Sequence, residues 1–147
     1  MTVSGGFAFA EMPELGHLLI RGVNWLGDAV MTLPALQRLH EAHPHTRFTL
    51  LTHEKLADLW HCHPIIDDVV TFADGESPRA VGCRLRDLDM EIALILPNSP
   101  RAALECWHAK IPRRIGYAAK WRRFFLTEAL LPRSGHIAMH KRTPGEI

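Results

Sequence analysis

An α/β fold built on a Rossmann-like parallel sheet flanked by helices is the architecture this sequence predicts, and three observations predict it. Short apolar runs of strand length alternate with stretches of helical periodicity. The connections between them are short, as in successive βαβ units. The run EIALILP at 91–97 reads as a buried strand.

In chain order, residues 1–14 are small or polar, punctuated by Pro13, and read as a loose leader. HLLIRGV (17–23) is a strand bounded by glycines. From Asp28 the apolar residues Ala29, Val30, Leu33, Leu36 and Leu39 recur at helical spacing as far as His43-Pro44. Pro34 inside that pattern either kinks the helix or starts its main part after an irregular first turn. RFTLLTH (47–53) is a second strand, EKLADLWHC a helical stretch and DVVTFA (68–73) a third strand. RAVGCRLRDLD is helical despite Gly82. After the strand at 91–97, SPRAALECWHAK is a helix with Pro100 in its first turn, where proline is tolerated. RRIGYA (113–118) is a fifth strand, and WRRFFLTEAL is either a strand or an irregular arm. The domain spans residues 15–135, and 136–147 read as a linker or truncated end.

Bulk properties narrow the function classes. A chain of 147 residues, 47% hydrophobic and 22% charged, is one globular domain, not a disordered segment. No apolar run approaches the ~20 residues that span a bilayer, and no export signal opens the chain, so a cytoplasmic protein is expected. Three cysteines, Cys62, Cys83 and Cys106, form no CxxC pair and suggest free thiols. Ten histidines, including HEAHPH and HCH, show no closed zinc spacing, and no metal site is expected. The net charge of +1 hides an asymmetry. Residues 1–96 hold seven Lys/Arg against thirteen Asp/Glu, a net of −6, and residues 97–147 hold ten against three, a net of +7. The basic third either faces an anionic partner or offsets the acidic part within the fold. The βαβ pattern carries no nucleic-acid motif.

The segment RGVNWLGDAVMTLP (21–34) carries the sharpest chemical signal. Asp28 follows Gly27 where a strand hands over to a helix, at the edge where parallel sheets bind ligands. Such a carboxylate caps the helix, serves as a general base, or does both. There is no GxGxxG fingerprint and no GxxxxGK[ST] loop, so neither a dehydrogenase nor an ATPase is supported.

NWLGDAVMTLPALQRL resembles the N-terminal signature of the ADP-heptose:lipopolysaccharide heptosyltransferases of glycosyltransferase family 9, closest to the heptosyltransferase II branch. ILPNSPRAALECWHAKIPRRIGYAAKWRRFFLTEAL is similar to a second segment of the same family, in the same order. The resemblance implies the N-terminal, acceptor-binding half of a GT-B enzyme. It implies Asp28 as the base that takes a proton from an acceptor hydroxyl attacking ADP-heptose, with inversion, no cofactor and no required metal. Gly27 would then allow a sharp turn and close substrate approach. Asn24 and Trp25 flank the cleft, Trp25 as a sugar platform or as plain packing. Asn98 and Ser99 face the same cleft or serve turn chemistry. The implied acceptor, heptosyl-Kdo-lipid A, carries carboxylates and phosphates, for which Arg101, Arg113, Arg114, Lys120, Arg122 and Arg123 form a basic pool. With Trp121, Phe124 and Phe125 interleaved, the stretch suits peripheral contact with the cytoplasmic face of the inner membrane. The family's enzymes are more than twice as long, so the nucleotide-sugar domain is expected to be absent and the chain inactive alone. The face left open would favour self-association. A non-catalytic module that binds anionic glycolipid is the alternative.

Overall fold

The computed structural model describes residues 15–119 and 121–131. The expected leader, Lys120 and the expected linker at 136–147 lie outside the described residues. Among the described residues six strands form one sheet: β1 (His17–Arg21), β2 (Arg47–His53), β3 (Asp68–Phe72), β4 (Ile92–Ile95), β5 (Arg113–Tyr117) and β6 (Glu128–Leu130). All pair in parallel, in the order β3-β2-β1-β4-β5-β6. The helices are α1 (Leu26–Ala42), α2 (Ala57–His61), α3 (Pro78–Arg86) and α4 (Pro100–His108), with 3₁₀ turns at Glu54–Leu56 and Arg122–Phe125.

Period-2 alternation sorts each central strand onto two cores. Leu18, Ile20, Phe48, Leu50, Ile92 and Ile115 pack beneath α1 and α2 with Leu36, Leu39 and Trp60. Leu19, Leu51, Ala93 and Ile95 pack on the other face with Val81, Leu85, Ala102, Ala103 and Cys106 of α3 and α4. Each large apolar side chain so buried contributes about 1.5–3 kcal/mol relative to exposure. Cys106 is free and fully buried, and burial pushes its thiol up to about 12.

The helix boundaries follow local chemistry. α3 and α4 each start on a serine, Ser77 or Ser99, whose hydroxyl accepts an amide three residues on, and each has proline in its first turn. Helix α1 starts two residues before the expected Asp28 and runs through Pro34 without a break. The carbonyl that Pro34 leaves without a helical donor belongs to Val30, whose side chain is on the exposed side. WRRFFLTEAL resolves into the 3₁₀ turn and then β6.

Candidate functional site

Parallel strands place all their carboxyl ends along one edge of the sheet. From β1 the chain steps outward to β2 and β3, then pairs β4 with the other side of β1 and steps outward to β5 and β6. The topological switch point is therefore the gap between β1 and β4, with α1 leaving to one face and α4 to the other. The segment after β1 carries Asn24, Trp25, Gly27 and Asp28, and the segment after β4 carries Asn98 and Ser99. Both groups border the crevice.

Asp28 is the third residue of α1. The N-cap is Trp25, in extended conformation (φ −113°, ψ 138°), and among the described residues no side-chain cap bond is made. The expected cap at Asp28 is therefore corrected, because the N-cap position belongs to Trp25. Its carboxylate is exposed and makes no hydrogen bond or ion pair among the described residues. The positive end of the helix dipole favours a negative charge there. Gly27 corrects an expectation. It lies in the first helical turn without a positive φ, and a Cβ added to it would meet nothing within 4 Å, so no sharp turn requires it. Trp25 is 76% exposed, which excludes the packing alternative.

Asp28, Met31, Thr32 and Ala35 share one helical face by their spacing. Below that face runs a recess of about 630 Å³ between α1 and the strands β4, β5 and β6. Met31, Leu36, Leu96, Tyr117 and Leu130 make most of it apolar. Its size falls among ordinary ligand pockets, about 300–1,000 Å³.

The remaining candidates disperse. Asn98 is exposed at the crevice, whereas the Ser99 hydroxyl accepts the Ala102 amide at 3.3 Å as the α4 cap. Arg101 is held within the fold: its Nε donates to Glu105 at 2.9 Å and its Nη2 to the Glu76 carbonyl. Arg113 pairs with Glu128 at 2.8 Å, and Arg114 donates to the carbonyls of Ile111 and Phe125. Both start β5, and Arg113 stands in register with Ile92 and Leu18, at the sheet edge away from Asp28. Arg113 and Arg114 are thus not brought to the crevice, because a parallel strand that begins with two arginines puts them at its far end. Arg122 is fully buried. Its Nη1 donates to the Pro97 carbonyl after β4, its Nε and Nη2 have no partner among the described residues, and burial pulls its pKa down. Arg123, Trp121 and Phe124 are exposed.

One group escaped the sequence reading. Arg21, which follows the apolar run Leu18–Ile20 at the end of β1, is wholly buried and donates to Glu105 at 2.6 Å. The available signal was Glu105 itself, three residues after Ala102 on the apolar face of α4. Two opposite charges on buried faces imply a pair. Beside it, His53 at the end of β2 contacts Asp74 at 3.0 Å. The His53 hydrogen bond, followed by that from Lys55, holds the Asp74 carboxyl below the ordinary carboxylate range.

No family model matches the sequence. Lipopolysaccharide heptosyltransferase 2 of Salmonella typhimurium is 25% identical over 118 residues, which make up 76% of this chain and 34% of that protein. Lipooligosaccharide heptosyltransferase 2 of Haemophilus ducreyi is 24% identical over 131 residues, 85% of this chain and 37% of the relative. The solved structure of the Escherichia coli ADP-heptose lipopolysaccharide heptosyltransferase II superposes with a TM-score of 0.67 at 26% identity, over 76% of this chain and 33% of that one. The chain resembles the heptosyltransferases. A glycosyltransferase family 9 structure from Veillonella parvula, 22% identical, shares the fold with a TM-score of 0.73 over 86% of this chain and 38% of that one. The parallel sheet flanked by helices is therefore the sheet architecture of family 9 enzymes. The chain spans about a third of the length of the curated heptosyltransferases it matches. No helix among the described residues is long and apolar enough to cross a membrane.

Proposed function

We propose that this chain is the acceptor-binding part of a glycosyltransferase that moves heptose from ADP-heptose to the inner core of lipopolysaccharide. Asp28 is the general base. One observation carries the reading: a free, exposed carboxylate stands in the first turn of α1 at the β1–β4 switch point, in a chain similar to heptosyltransferases. An acceptor hydroxyl is a weak nucleophile until a positioned base shares its proton. Asp28 takes that proton while the hydroxyl oxygen bonds to the anomeric carbon. The bond from that carbon to the diphosphate oxygen breaks, ADP departs with the electron pair, and the configuration inverts. No metal or cofactor is required by this scheme. ADP-heptose would be bound mainly by a second domain, so the chain alone would bind acceptor without turnover. Exposed Asn98 and Trp25 remain at the crevice to contact sugar. The exposure of Arg123, Trp121 and Phe124 supports peripheral contact with an anionic membrane surface on the cytoplasmic side. The alternative is a module that binds anionic glycolipid without catalysis.

The test joins this chain to the remaining length of a heptosyltransferase and compares Asp28 with Asp28→Asn. Turnover should fall by about 10²-fold or more, with acceptor affinity little changed. Near-normal turnover would remove Asp28 as the base. Heptosyl transfer by the 147-residue chain itself would remove the alternative.

A further inference from the structure

The residues that begin α1 have little to hold them. Trp25 and Leu26 are 76% and 58% exposed, Gly27 touches nothing a side chain would reach, and Ala29 is the first buried residue of the helix. Apolar packing therefore does not fix the turn that presents Asp28. We propose that Arg21, clamped by Glu105, is a positioning residue that ties the β1–α1 loop through Asn24 and so holds the Asp28 carboxylate at the crevice. The proposal rests on the reading of Asp28 as the base.

The geometry divides the Arg21 guanidinium into a fixed side and a working side. On the fixed side, Nε donates to Glu105 Oε2 at 2.6 Å and Nη2 to Oε1 at 3.4 Å. The Phe72 ring lies 4.5 Å from the guanidinium carbon. Glu105 is in turn held by Arg101, which is itself anchored on the Glu76 carbonyl. The planar fork thus has its orientation set from three elements: β3, the loop after it, and α4. On the working side Nη1 donates to the Gly22 carbonyl at 2.6 Å and to Asn24 Oδ1 at 3.0 Å. The Gly22 amide adds a bond to the Leu51 carbonyl at 2.9 Å. Two of the four residues between β1 and α1 are therefore tied to one buried cation. The next backbone bond along the chain, from the Ala29 amide to the Trp25 carbonyl at 2.8 Å, closes the turn that contains Asp28.

The arrangement suits positioning better than it suits stability. A buried ion pair recovers little more than its own desolvation, and apolar residues of similar volume often do as well. What apolar residues cannot supply is a rigid fork that delivers a donor to a loop beyond the strand end. Lysine cannot supply it either, being a point charge without the paired geometry.

Two measurements decide the proposal: amide exchange in the 147-residue chain, and kcat with KM in the same chain joined to the remaining length of a heptosyltransferase. In Asn24→Ala the ion pair stays intact and only the tie is lost. Exchange at the Ala29 amide should accelerate while Leu50 in β2 is unchanged, and kcat should fall about tenfold with KM within about twofold. Arg21→Lys should act in the same direction. If it does not fold, Asn24→Ala carries the test. In an Asp28→Asn background, Asn24→Ala should cost nothing further, because positioning a carboxylate that is absent has no effect. Unchanged exchange at Ala29 overturns the proposal, and so does an Asn24→Ala loss that persists without the Asp28 carboxylate. Full turnover by Asp28→Asn alone identifies a different failure, that of the base reading, and removes the catalytic role with it.

Discussion

Gly27 and Gly82 both lie within helices, α1 and α3, yet their surroundings oppose one another. A methyl group at Gly82 would sit 2.4 Å from His108 Cβ and 2.8 Å from the Glu105 carbonyl oxygen, so α3 and α4 approach closely only because nothing projects there. At Gly27 the same methyl meets open space. Gly82→Ala is expected to destabilise by about 1–3 kcal/mol through overpacking, whereas Gly27→Ala should stabilise by up to about 1 kcal/mol through helix propensity. Chemical denaturation of the two variants checks both signs. A Gly27→Ala enzyme that is more stable but slower would show that the glycine serves approach of a ligand. Asp28 belongs to this scale too: its position beside Gly27 was legible as a motif. The absence of a cap was not, because the helix starts two residues earlier than the apolar periodicity shows.

At the scale of elements, the two helices on the α3–α4 face begin with the same Ser-Pro device, and the sequence displayed it openly at Ser99-Pro100. Ser99 sits at the crevice, and its hydroxyl accepts the Ala102 amide. Ser99→Ala should therefore lower the denaturation midpoint by about 1 kcal/mol of stability with an unchanged denaturant slope. A larger loss in acceptor binding than in stability would add a contact to the cap. β5 teaches the opposite lesson. Its strand character was plain from RRIGY, but which end of the strand faces the crevice depends on its parallel pairing with β4. That pairing sends Arg113 and Arg114 to the far edge.

Across the whole molecule, one buried hub joins β1, β3, α4 and the loops after β1 and β3: Arg21, Phe72, Arg101, Glu105 and the Glu76 carbonyl. Glu105→Ala would leave Arg21 buried without its carboxylate, an expected loss of about 3–5 kcal/mol. A thermal melt of that variant measures it, and a loss under 1 kcal/mol would mean that water reaches the guanidinium. The charge asymmetry also resolves at this scale in part. Arg101 and Arg113 of the basic third are spent on Glu105 and Glu128 of the same third, while Arg122 is buried behind Pro97. The sequence by itself determined the alternation of strands and helices, the parallel sheet and the acid where β1 hands over to α1. Those properties are written in short-range periodicity and in residues a few positions apart. Only the tertiary structure decided which arginines are committed internally and which are free, and that a cation lies under the β1–α1 loop. Arg21 and Glu105 are 84 positions apart. An arginine's residue type says nothing of its partner until parallel pairing and helix packing have brought the two elements together.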